Sequence, residues 1–209
     1  MEQRPPLSPD YPIVLVEGLD EWSRWLADHH GSSPGVWLAT WKQRSGRPRV
    51  AYAAIAEEAI RFGWVDSRPG SLDDERSLLL VTPRNPRSKW SRINKQRAER
   101  LIDTGRMAPA GQRSVDAARA SGTWNALDEV EDLVEPDDLA RALDADTAAR
   151  GHWDDFPRST RRAILDWIAS AKTPGTRQKR IDRTAADAAV DIRANQWRQP
   201  KGKVRRPDP

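Results

Sequence analysis

At 209 residues the chain can bury one good-sized core, or one core and a small satellite. It contains no cysteine, which excludes disulfides, thiolate catalysis and cysteine-based zinc sites. The 35 Lys and Arg against 31 Asp and Glu give a formal net charge of +4, and no apolar run approaches the ~18–20 residues that span a bilayer.

The chain opens with a Pro-rich stretch, residues 1–12, which predicts an irregular N-terminus without the apolar segment of a secretory signal. The expected location is therefore the cytoplasm. Ile13 to Val16 is β-branched and reads as a short strand. Asp20 offers an N-cap to a helix with Trp22, Trp25 and Leu26 on one face, and Gly31 ends it. Gly35 to Trp41 reads as a strand with Trp37, Ala39 and Trp41 on one side. Ala51 to Phe62 carries the helical stripe Ile55, Ala59, Phe62, with Gly63 as its stop.

Trp64 to Ser67 is expected as a short strand, with Arg68-Pro69-Gly70 turning the chain. Ser77 to Val81 reads as a strand covered on both faces, and Thr82 to Arg87 as a loop, because two prolines forbid regular pairing. Ser88 or Ser91 caps a helix running to about Thr104, with Ile93, the Arg97 stem, Leu101 and Ile102 inward. A further helix runs from near Gly111 to Ser121. Trp124 to Glu135 is acidic and loop-like and marks a boundary. Pro136 suits the first position of the next helix. Ile164, Trp167, Ile168 and Ala171 stripe another, and Thr176 to about Asn195 forms the last. The expected organisation is an irregular N-terminus (1–12), an α+β core (13–125), a C-terminal helical subdomain (126–196) and a disordered basic tail (197–209). The fold class is α+β: a small, mainly antiparallel sheet flanked by helices.

Charge is segregated along the chain. Residues 84–106 carry a balance of +6, residues 128–155 a balance of −9, and residues 197–209 a balance of +4. Such blocks suit either an electrostatic partner or solvated helix faces. Three histidines, two of them adjacent at His29 and His30, do not suggest a metal site, and no metal or other cofactor is expected.

Several spaced motifs resemble the YdeI/OmpD-associated family, also labelled bacteriocin-protection proteins. They are Gly35-Val36-Trp37-Leu38, Glu57 to Ser67, Thr82-Pro83-Arg84, Ser88-Lys89-Trp90-Ser91 with Asn94, and Gly105 to Gly111. Ser159 to Arg162, Trp167-Ile168, Ala171-Lys172 and Thr176 to Ile181 continue the series, so that the likeness spans roughly residues 15 to 195. The family's name implies protection against bacteriocins or antimicrobial peptides and a link to an outer-membrane porin; it implies no reaction. Arg61 stands where family members often have Cys, so thiol chemistry is not a shared mechanism.

The residues themselves point to one candidate site. Arg84 and Arg87 lie on a Pro-fixed loop before a helix start, where backbone N–H groups carry partial positive charge. Guanidinium groups add planar donors for phosphate or carboxylate. Trp64 and Trp90 supply aromatic walls or ordinary core, Asp66 and Ser67 lie just beyond Trp64, and Asn94 falls in the helix's first turn. These seven residues are the expected ligand-binding set, for an anionic small molecule or peptide group in a non-catalytic binding or stress-protection protein. The structural alternative is that Arg84 and Arg87 pair with Asp66, Asp73 or Asp74. Two other functions remain open. One is an enzyme on a nucleotide-like or cell-envelope substrate with Asp66 as acid/base, although no second titrating partner and no Ser-His pairing is legible. The other is a nucleic-acid-binding module, which the neutral body disfavours apart from non-specific contacts of the tail.

Overall fold

The apolar run Val36 to Trp41 forms one of the two interior strands of the computed structural model, which describes residues 11–202. Residues 1–10 of the expected irregular N-terminus and residues 203–209 of the expected disordered tail lie outside the described residues. The chain divides into two compact units, Met1–Ala126 and Leu127–Pro209.

In the first unit, β1 (Ile13–Leu15), β2 (Val36–Trp41), β3 (Trp64–Ser71) and β4 (Arg76–Pro83) make one sheet in the order β1-β2-β4-β3. β1 runs parallel to β2; β4 is antiparallel to both its neighbours. Side chains alternate across the pleat. Val36, Leu38, Trp64 and Val81 pack with Trp22 and Leu26 of α1 (Leu19–His29) and with Ile55 and Ala59 of α2 (Tyr52–Arg61). The opposite face gathers Trp37, Ala39 and Leu78, with Tyr11, Leu72 and Leu80 half-buried against them and the Arg68 guanidinium 5.1 Å from the Trp37 ring centre. A third cluster, including Ile60, Trp90, Leu101, Val115 and Trp124, joins α2 to α3 (Arg92–Asp103) and α4 (Pro109–Ser121).

The second unit is helical: α5 (Asp128–Glu131), α6 (Asp137–Asp144), α7 (Thr147–Asp155), α8 (Arg158–Ala169) and α9 (Pro174–Ala188). Leu139, Leu143, Trp153, Ile164, Ile168 and Ile181 fill its core. The buried Trp153 indole N–H finds its partner in the half-buried Glu135, 2.7 Å away. The α+β class therefore holds, with a mainly antiparallel sheet and a separate helical unit.

Several local expectations are corrected. Arg68-Pro69-Gly70 does not turn the chain: β3 continues to Ser71, and the turn comes at 72–75. β3 is an edge strand, so Pro69 loses no ladder bond by lacking an N–H. β4 runs on to Pro83, which pairs with Trp64 at the ladder's end. Ile93 is 60% exposed; α3 buries Ala98 and Leu101 instead. Gly18, not Asp20, is the N-cap of α1, and Glu21 accepts the Glu17 N–H at 2.9 Å. The acidic stretch after Trp124 contains the short helix α5, α7 had no counterpart in the sequence reading, and α9 ends at Ala188 rather than near Asn195.

Candidate functional site

Arg84 follows directly on β4, and its backbone N–H donates to the Gly63 carbonyl at 3.0 Å. Its side chain folds back over Trp90, with the guanidinium carbon 3.8 Å from the ring centre, and Nη2 donates to the Lys89 carbonyl at 2.6 Å. The residue is only 9% exposed, yet Nε and Nη1 have no hydrogen-bond partner. No carboxylate forms a salt bridge with it among the described residues. Burial lowers its pKa to about 10, against the opposing field of Asp66. At neutral pH Arg84 therefore still carries its charge, and that charge is under-compensated inside the unit. Stacking on an indole returns roughly 2 kcal/mol; the desolvation of a lone ion is larger, several kcal/mol.

Beside it lies a hollow of about 310 Å³, lined by Arg84, Trp64, Gly63, Ala110, Arg113 and Ser114 among others, with no acidic residue in its wall. Its shape depends on a close backbone crossing. Gly63 has φ +76° and its added Cβ would meet the Ala110 carbonyl at 2.9 Å; a Cβ on Gly111 would lie 2.2 Å from the Arg61 carbonyl oxygen. The Ala108 N–H donates to that same Arg61 oxygen at 3.2 Å. The start of α4 is thus brought against the end of α2, carrying Arg113 and Ser114 to the hollow. His30 lies on the other side, with its ring Nδ1 donating to the Leu26 carbonyl at 2.9 Å.

Asp66 stands on the helix-covered side of β3, opposite Val81, just before a bulge at Ser67. Its Oδ2 accepts the Tyr52 hydroxyl at 2.6 Å. That bond, then burial and the negative carboxylate, raise the Tyr52 pKa, so the phenol keeps its proton. Arg97 stands 6.0 Å from the Tyr52 ring centre and donates to Asn94 Oδ1 at 3.0 Å. Asp66 and Tyr52 line a larger hollow of about 580 Å³ together with Thr40, Arg49 and Leu79.

The seven expected residues are thus distributed as follows. Arg84 and Trp64 share the smaller hollow; Trp64 is otherwise core, its indole N–H donating to the His30 carbonyl at 3.1 Å. Trp90 is core as well, 4.9 Å from Trp124 and beneath Arg84. Asp66 faces the larger hollow, and Asn94 reaches its neighbourhood only through Arg97. Ser67 is an exposed bulge residue bonded to the Leu80 carbonyl at 3.3 Å. Arg87 is exposed, with its backbone N–H donating to Asn85 Oδ1 at 2.9 Å. The helix start itself is closed by the Ser91 hydroxyl, which accepts the Asn94 N–H.

The alternative pairing is also resolved. Asp73 pairs with Arg76, whose hydrogen bond holds the Asp73 pKa down at about 2, and Asp74 pairs with Arg44. Tyr52, Arg113, Ser114 and His30 escaped the sequence reading, since each meets the site only through long-range packing. Arg61, at the position where Cys was expected from the resemblance, pairs with the buried Glu58 at 2.7 Å and donates to the Arg106 carbonyl at 2.9 Å. Among the described residues no group of three or more His, Cys, Asp or Glu could hold a metal ion, and no helix is long and apolar enough to cross a membrane.

Fold and charge together describe an α+β unit with a cation-lined hollow, followed by a helical unit. Residues 14–114 match the model of a family described as Domain of unknown function (DUF8412). Residues 132–190, within the helical unit, match the model described as Bacteriocin-protection, YdeI or OmpD-Associated. No curated protein and no solved structure matches the chain. The resemblance drawn from the motifs is thus borne out at the C-terminal end, while the N-terminal motifs, Gly35 to Gly111, all fall within the other family's match.

Proposed function

We propose that this chain is a cytoplasmic, non-catalytic binding protein of the YdeI/OmpD-associated type, and that its α+β unit receives an anionic group at Arg84. One observation carries the reading: a guanidinium nine-tenths buried, with two of its three nitrogens unpartnered, at the wall of a hollow without an acid. Buried polar groups left unpaired are rare, and a site for a bound ion is among the ordinary reasons for one. Arg113 and the Ser114 hydroxyl supply a second cation and a further donor. Nε and Nη1 lie under the surface, and Arg84 leads directly into the 85–88 turn. That turn is held by the Ser88 N–H on the Asn85 carbonyl at 2.9 Å, and two prolines limit its alternatives.

The family description links members to bacteriocin protection; for this chain that supports a protective role exercised by sequestering or sensing an anion. Isothermal titration with inorganic phosphate and a panel of phosphorylated metabolites tests the reading. Replacing Arg84 by Ala should weaken the binding phosphate ligand about 10- to 100-fold, the worth of a charge-assisted hydrogen bond. Equal affinities for a folded Arg84→Ala protein remove Arg84 from any site.

A further inference from the structure

The larger hollow is a second and chemically different cavity. Its volume, about 580 Å³, falls within the range of small-ligand sites. Leu79, Ile55, Val50 and Pro69 give it apolar walls. Polar groups mark two separated parts of the sheet. Asp66 is in register with Val81 of β4, whereas Thr40 is in register with Ser77, four residues further along that strand, which is ~13 Å. Lys42 and Gln43, just beyond Trp41, also line the hollow, as does Arg49.

The two parts differ in sign. At the Asp66 part, Tyr52 engages Oδ2 alone among the described residues, leaving Oδ1 to accept a donor. At the other, Lys42 Nζ is already committed to Ser71 Oγ at 2.7 Å and the Asp73 carbonyl at 2.6 Å, so it fixes positive charge in the wall. Arg49 is exposed and contributes a guanidinium to the lining. A carboxylate at one part, cations in the remaining wall and apolar surface between them suit a zwitterion with an apolar middle.

We infer that this hollow binds a short apolar peptide with free termini, its ammonium on Asp66 and its carboxylate on Arg49. A hollow of this volume admits a peptide of two or three residues. Peptide side chains rest against Leu79, Ile55 and Val50. Tyr52 holds the Asp66 carboxylate in place. This site does not depend on Arg84, which lines the other hollow.

Isothermal titration of the full chain with Ala-Leu and Ala-Leu-Ala tests it, alongside the N-acetylated and C-amidated forms of each. The free peptides should give a saturable heat. Acetylation and amidation should each weaken binding about tenfold or more in the wild-type protein. Asp66→Asn should abolish the sensitivity to acetylation, and Arg49→Gln the sensitivity to amidation. The inference is overturned if neither peptide binds up to its solubility limit, or if capped and free peptides bind alike. It is equally overturned if folded Asp66→Asn and Arg49→Gln proteins discriminate the caps as the wild type does.

Discussion

Two side chains concentrate the local chemistry of the α+β unit, and both do so through partners far away in sequence. Arg84 was legible as a cation on a rigid loop, because prolines on either side restrict the backbone there. Its burial was not legible, since that depends on Trp90 folding under it and on the Lys89 carbonyl reaching back. Asp66 was legible as a carboxylate beyond a strand start, but Tyr52 was not legible as its partner. The bulge at Ser67 and the first turn of α2 have to be placed before the phenol and carboxylate meet. The pair makes a prediction. Ultraviolet titration of the chain's two tyrosines should show one ionising above the ordinary tyrosine range. In Asp66→Asn that transition should move down, because the charge that opposes the phenolate is gone. An unchanged transition in a folded variant contradicts the geometry around Tyr52.

At the scale of elements, hydrophobic periodicity located most helices and all four strands, and it failed where edges and crossings decide. Pro69 reads as a turn residue in isolation, yet an unpaired strand edge tolerates it. Ile93 reads as core, yet the inward stripe of α3 runs through Ala98 and Leu101, and Ile93 points elsewhere. The crossing of α2 and α4 left only a glycine in the sequence as its trace. Gly111 meets the Arg61 carbonyl so closely that an added Cβ would stand at 2.2 Å from backbone oxygen, and Met107 sulfur at 2.5 Å. Gly111→Ala should therefore destabilise the protein by about 2–3 kcal/mol, within the overpacking range, despite the better helix propensity of Ala. Chemical denaturation measures this directly. A variant as stable as the wild type shows that α4 can move away from α2 without loss. Glu58 anchors the same region, since it is buried and accepts from both Arg61 and the Ser23 hydroxyl at 2.7 Å.

At the scale of the whole molecule, part of the acidic block that looks like a partner signal in the sequence is paired within its own unit. In the acidic stretch Glu135, Asp144 and Asp154 surround Arg150, and Glu131 accepts from Arg162 at 3.0 Å. Three of the four cations of α9 are engaged: Arg177 forks onto Asp138 with two bonds of 2.8 Å, Arg180 lies over the Trp167 ring, and Arg183 pairs with Asp187. The first of these pairs sets a pH dependence. The Arg177 hydrogen bond lowers the Asp138 pKa in the folded chain. The stabilisation is therefore complete above the unfolded carboxylate's ~3.9 and is lost as pH falls through the depressed folded value. Thermal unfolding should place Asp138→Asn below the wild type at pH 7, with the gap closing towards pH 2. A gap of the same size at both pH values would assign the loss to something other than the ion pair.

The central claim is that a buried, half-paired guanidinium waits for an anion, and NMR of arginine side chains reads it at the atom concerned. On titration with inorganic phosphate or the best phosphorylated metabolite, the Arg84 Nε–H resonance should move downfield and its exchange with water should slow, saturating at the affinity found calorimetrically. An Arg84 resonance that stays fixed while ligand binding saturates would contradict the account.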